Sequence, residues 1–231
     1  MFVPFFDITY LIFSLPAILV GVVASLLLRY WTGKYRQQLN ANSVTGVEVA
    51  ERIARKHDYP IRLEITEQPL GDNYNPTNST LTLSREIAQE KSITAVGIAA
   101  HEMGHVEQHA SGNVFFRLRT SIVPIVNLGS SLGYFLLIIG IIIGLVQLAW
   151  LGIVLFSATT VFTLITLPIE LDASRRALKM IRENQILFPN EIGGVKKVLT
   201  AAALTYVAAT LQSFGALIYF ILRVQGIGRN D

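Results

Sequence analysis

The chain has 231 residues, of which 52% are hydrophobic and only 15% charged, with a mean hydropathy of +0.48. That length allows one or two domains, and the composition points away from an ordinary soluble domain and toward a membrane protein. A net charge of +3 is too small to argue for nucleic acid, and the absence of cysteine excludes disulfides and thiolate metal sites, which leaves His, Asp and Glu as the available ligands.

In chain order, the first element is Ile8–Leu28, 21 residues without a charge. About 20 apolar residues suffice for a helix to cross the hydrocarbon core. Asp7 precedes the run, and Arg29, Lys34 and Arg36 follow it. A cleaved signal peptide has basic residues first and a small-residue cleavage site after, so residues 1–28 read as a retained transmembrane anchor.

Residues 29–120 are more polar. Thr45 and Glu48 stand at capping-box spacing, which opens a helix running to about His57 and burying Val49, Ala50, Ile53 and Ala54. Ile61, Leu63 and Ile65 alternate, as do Leu81 and Leu83; this is the period of a half-buried strand. The segment "GDNYNPTN" between them is dense in turn formers, so a hairpin is expected. Ser92 then caps a helix that ends near Gly112.

That helix contains "AAHEMGHVEQH", in which His101 and His105 bracket Glu102 as H-E-x-x-H. Residues i and i+4 lie one turn apart on the same helix face, so both imidazoles can address one ion. Glu102 sits about 100° around the helix, where it reaches a water on that ion rather than the ion itself. This spacing suits zinc hydrolysis. The bland alternative is a solvated polar helix face. Against it stands Gly104, which costs about 1 kcal/mol relative to Ala inside a helix and marks a close approach by another element.

Thr120–Ile169 carries no charge over 50 residues. As helix this is about 75 Å, far more than one core of roughly 30 Å, so two spans joined by a turn near Gln147 are expected over 121–169. The final uncharged run, Val198–Leu222, is rich in Ala, Thr and Gly and reads as a fourth span within 199–231, packed through its small residues; Gln212 and Ser213 inside it make a buried or interfacial helix the alternative.

A catalytic zinc takes three protein ligands and keeps one open position. His109 lies about 12 Å from His101 along a straight helix, too far to share one tetrahedral ion. The longer metzincin pattern also fails, with Gln108 at its glycine position and Ser111 at its last histidine. Glu170 is the better candidate for the third ligand. It ends the apolar run, and two intervening spans return the chain to the side it left. Asp172 is the candidate partner of a ligand histidine.

With "HEMGH", a membrane hairpin, "IELDASRRAL" and the upstream "DNYNPTNSTLTLS", the chain resembles the membrane-bound neutral zinc metallopeptidases of bacteria, the YugP type, over nearly its whole length. These are more distantly similar to HtpX and the CAAX prenyl proteases. The resemblance implies one zinc on His101, His105 and Glu170, with Glu102 as catalytic base. HtpX-like chains usually carry Asp four residues after the ligand Glu; here that place is Ser174, and the acid is Asp172.

The fold expected is mainly α: an integral membrane protein of about four spans with a small α+β, zincin-like cytoplasmic portion. Residues 170–198 would form a cytoplasmic helix carrying Glu170. All but two of the 19 lysines and arginines, Arg223 and Arg229, fall on the site side, which puts the site in the cytoplasm of a multi-pass cell-membrane protein. The function expected is peptide-bond hydrolysis by a zinc metalloendopeptidase, acting on protein or peptide substrates, membrane-held ones included, next to the lipid bilayer and without nucleic acid. A zinc-stabilised membrane scaffold without turnover is the alternative. For oxyanion stabilisation, Arg175, Arg176, His109 and Tyr74 are candidates. The Leu81–Leu83 strand is a candidate edge for an extended substrate. An intramembrane protease is disfavoured because Glu90, Lys91 and Glu107 flank the motif. A transporter is disfavoured because the spans carry almost no polar or charged groups.

Overall fold

A computed structural model describes residues 7–227; residues 1–6 of the expected anchor and Arg229 lie outside them. Ten elements follow one another: α1 (Ile8–Arg36), α2 (Gly46–His57), β1 (Arg62–Thr66), β2 (Asn73–Asn75), β3 (Thr80–Ser84), α3 (Arg85–Gln89), α4 (Ile93–Ala110), α5 (Val114–Ile142), α6 (Val146–Glu183) and α7 (Ile192–Ile227). Helices dominate, and four of them (α1, α5, α6 and α7) are long and apolar enough to cross a membrane. The protein is a mainly α membrane protein.

The chain divides into two compact units. Of the described residues, the first comprises 7–23, 118–168 and 204–227. Its core is Leu137, Ile141, Ala149, Ile153, Tyr219, Phe220 and Val224. Glycines let α5 and α6 approach closely: a Cβ on Gly133 would lie 2.6 Å from the Phe156 amide nitrogen, and one on Gly152 would strike the Leu137 backbone. The turn between these helices falls at Gly144 rather than near Gln147, which already belongs to α6. Gly144 adopts φ +72°, a left-handed conformation free of Cβ strain, and Leu145 N–H closes back on Gly140 O at 2.9 Å. Helix-stop chemistry outweighs the interfacial preference of Gln147 and Trp150.

The second unit comprises Ala24–Arg117 and Ile169–Ala203. Thr45 caps α2 with both halves of the capping box in place, and α2 buries Val49, Ala50 and Ile53; Ala54 is half-buried. Ala95, Val96, Ala99, Ala100 and Met103 of α4 are fully buried, so α4 is the central helix of this core. Small side chains along it let its neighbours approach from several sides.

The sheet departs from the expected hairpin. Its order is β1-β3-β2, with β1 parallel to β3 and β2 antiparallel to β3. The third strand lies inside "GDNYNPTN": Asn73–Asn75 is extended, and only the residues after it turn. Turn-forming composition concealed it, because three residues are too short for an alternation to register. β3 is therefore the middle strand, with Leu81 and Leu83 fully buried, and it offers no free edge. Ile65 at the end of β1 is 50% exposed, so β1 buries only part of its expected face.

α6 also differs from expectation. It does not break at the end of the apolar run but continues through Pro168 to Glu183. Residues 170–198 are thus the end of α6, a connection, and the first turns of α7, not a separate helix.

Candidate metal centre

α4 begins where Ser92 accepts from the Ala95 amide, and it carries the H-E-x-x-H residues in its second half. α6 lies alongside at Gly104. A Cβ there would run into the Ala173 carbonyl, so the two helices touch backbone to backbone one residue from His105. This is the close approach that a helical glycine foretold.

The contact brings three donors together. His101 Nε2 lies 3.2 Å from Glu170 Oε2, and His105 Nε2 lies 3.6 Å from the same oxygen. One ligand atom from each of His101, His105 and Glu170 lies within 4.8 Å of the other two, and no other such group is found among the described residues. Ligands bonded at 2.0–2.2 Å to a tetrahedral zinc stand about 3.3–3.6 Å apart. The donor types and the two distances to Glu170 therefore fit zinc. Glu170 is only 2% exposed.

The orientation of each imidazole follows from its other nitrogen. Gln108 is fully buried, and its Nε2 donates to Ile169 O at 2.8 Å and to Asp172 Oδ2 at 2.9 Å. Two acceptors on that side leave Oε1 to accept from His105 Nδ1 at 3.0 Å. His105 is then protonated on Nδ1, and the Nε2 lone pair faces Glu170. Ser174 Oγ holds the His101 ring from its other side, 3.2 Å from Nδ1, with Nε2 turned to Glu170; the hydroxyl can accept from Nδ1 or donate to it. Asp172 thus reaches His105 only through Gln108, and it is anchored by Arg176 Nε at 2.6 Å.

Glu102 is buried outside the donor group. Burial pushes its carboxyl above the ordinary glutamate range, against the pull of His105 and His101. His105 is shifted upward as well. Burial opposes its protonation, but once Nε2 carries a proton its hydrogen bond to Glu170 and the charges of Glu102 and Glu170 outweigh that cost.

His109 is not in the donor group. Its Nδ1 meets the Tyr74 hydroxyl at 2.8 Å, tying the motif helix to edge strand β2. Arg176 is engaged by Asp172 and by Glu107 at 3.3 Å, whereas the Arg175 side chain is 78% exposed. Gln108 and Ser174 were passed over as partners in the sequence, where Gln108 registered only as a failed metzincin glycine and Ser174 as a missing aspartate. The available signal was helical spacing: Gln108 is three residues from His105 and Ser174 four from Glu170, each on its ligand's face.

Two comparisons with known proteins show the family of the chain. The family model described as "Putative neutral zinc metallopeptidase" matches residues 10–225. The "Putative membrane protease YugP" of Bacillus subtilis (strain 168) is 39% identical over 209 residues, covering 87% of this chain and 93% of that protein. No solved structure matches. With a family match across nearly the whole length, on a chain with four helices fit to span a membrane, this protein belongs to the neutral zinc metallopeptidase family and is one of its membrane members.

Proposed function

We propose that the chain is a membrane-anchored zinc endopeptidase in which His101, His105 and Glu170 hold one zinc and Glu102 is the general base. The observation that carries this reading is the meeting of Glu170 with the two histidines at tetrahedral-ligand spacing, across a sequence gap of more than 60 residues. When bound, zinc supplies Lewis acidity, polarising the scissile carbonyl and lowering the pKa of a coordinated water toward 7.

The remaining steps fall to the protein. Glu102 accepts the proton of the attacking water and returns it to the leaving amine. Gln108 and Ser174 hold the two imidazoles with Nε2 forward, so that no reorientation is needed as the metal binds. Burial of Glu170 and His105 excludes bulk water from their side of the site. β2, rather than the buried β3, is the edge that supports an extended substrate strand, and it lies beside the motif helix through Tyr74 and His109. The charge pattern supports a cytoplasmic site: Arg29, Lys34, Arg36, Arg117, Arg119, Arg175, Arg176, Lys179, Arg182, Lys196 and Lys197 flank the spans on the site side.

The test compares membrane proteomes carrying wild-type protein and Glu102→Gln. The variant should keep its zinc and fold while specific fragments disappear, because an amide cannot accept the water's proton. Identical fragment sets with zinc retained would overturn the enzyme reading in favour of a zinc-stabilised scaffold.

A further inference from the structure

The membrane-embedded unit is less apolar inside than its hydropathy suggests. Between α6 and α7 runs a seam of hydroxyls. Thr163 Oγ1 and Ser213 Oγ are 2.9 Å apart, and Thr160 Oγ1 donates to Ser213 O at 3.3 Å. Beside the seam lies a cavity of about 420 Å³, lined by Tyr134, Phe156, Thr159, Gln212, Ser213 and Phe220 among others. One polar group of its lining is unsatisfied: Thr159 Oγ1 is buried with no hydrogen-bond partner, and the Gln212 side chain lines the same cavity.

Depth decides what can pair with them. Thr159 lies 13 residues after the start of α6 and 10 before the end of the uncharged run at Ile169, and Gln212 lies 14 residues after Val198 and 10 before Leu222, so each is about 15–21 Å of helix from either end of its apolar stretch. Both are near the middle of a hydrocarbon core roughly 30 Å thick. Acyl chains offer no donor or acceptor there, and an unpaired polar group in hydrocarbon is costly. The complementary group at that depth is a polar side chain on another membrane-spanning helix. The cavity is at the small end of ligand cavities, which run about 300–1,000 Å³, so it takes inserted side chains rather than a whole helix.

We infer that this cavity docks the membrane-spanning segment of a protein substrate, receiving a mid-span hydrogen-bonding side chain against Gln212 and Thr159. The inference rests on the protease reading for the word substrate; the docking itself does not require cleavage.

The probes are two synthetic transmembrane peptides, a poly-leucine helix and the same helix with one central asparagine. Each carries an acceptor dye and is mixed in lipid vesicles with full-length protein labelled at a cysteine introduced at Gln147. The asparagine peptide should bind threefold to thirtyfold more tightly, the range one interhelical hydrogen bond contributes in a membrane. Thr159→Val combined with Gln212→Leu should erase that preference while zinc content stays unchanged. Equal binding of the two peptides, or a preference that survives the double substitution, would overturn the proposal. Energy transfer between two labelled copies of the chain, lost in the double variant, would also overturn it by assigning the cavity to a dimer contact. Zinc content and the Glu102→Gln proteome comparison are read separately, so failure of docking and failure of the protease reading are distinguishable.

Discussion

Gln108→Leu tests the reasoning about the site most directly. Gln108 is fully buried and joins three groups: it accepts from His105 Nδ1 at 3.0 Å and donates to Ile169 O and Asp172 Oδ2. Leucine preserves the bulk and removes all three bonds. His105 loses the acceptor that fixes its tautomer, and losses of this kind weaken metal binding about 10–100-fold. In free energy that is about 1.4–2.7 kcal/mol. Asp172 keeps Arg176, so it is not left unpaired. Gln108→Glu separates the roles. It retains an acceptor for His105 but has no N–H for Ile169 O and sets a carboxylate against Asp172. It should therefore hold zinc better than the leucine variant while melting at a lower temperature than wild type. The assay is competition for zinc with a chromogenic chelator on detergent-solubilised protein, with thermal melting in parallel. Zinc affinity of the leucine variant within about twofold of wild type would refute the orienting role.

Further outcomes follow from the same geometry. His101→Ala and His105→Ala should lose zinc, and Glu170→Ala should lose it less completely, measured by metal analysis of purified protein; full retention in Glu170→Ala would remove that residue from the ligand set. Gly104→Ala places a methyl against the Ala173 carbonyl, so it should cost about 1–3 kcal/mol of stability and weaken zinc binding together; unchanged melting and zinc content would show that the α4–α6 approach is not needed. Zinc must displace the His105 proton, and the His105 pKa lies above its ordinary value, so affinity is full at alkaline pH and falls as pH drops through that raised pKa. Chelator titrations at successive pH values should show the fall beginning above about 6.5, and a flat profile down to pH 6 would contradict it. For topology, cysteines at exposed Gln147 and Asn190 serve on a cysteine-free background, whereas Ser84 is too buried to report. Gln147→Cys should react with an impermeant thiol reagent in intact cells and Asn190→Cys only after lysis; the reverse pattern would put the site outside.

What the sequence determined by itself is whatever rests on short-range spacing and on bulk composition. The membrane helices were legible because hydrocarbon requires long uncharged runs, and the helix with His101 and His105 because i,i+4 spacing is a local property of the chain. The caps at Thr45 and Ser92 were legible for the same reason. Even the approach at Gly104 announced itself through the helix propensity it sacrifices. The tertiary structure decided whatever depends on which elements become neighbours. Composition spelled a turn where Asn73–Asn75 pairs with β3, because strand pairing is a long-range choice that three residues cannot signal. The span boundary at Glu170 read as an end, yet α6 continues, since helix hydrogen bonding does not register where the bilayer stops. Gln108 and Ser174 became partners of the site histidines only once α4 and α6 met. Gln212 stood out in the last apolar run only as a polar interruption; that it lines one cavity with Thr159 follows from how α6 and α7 pack, and a one-dimensional hydropathy reading carries no information about that direction.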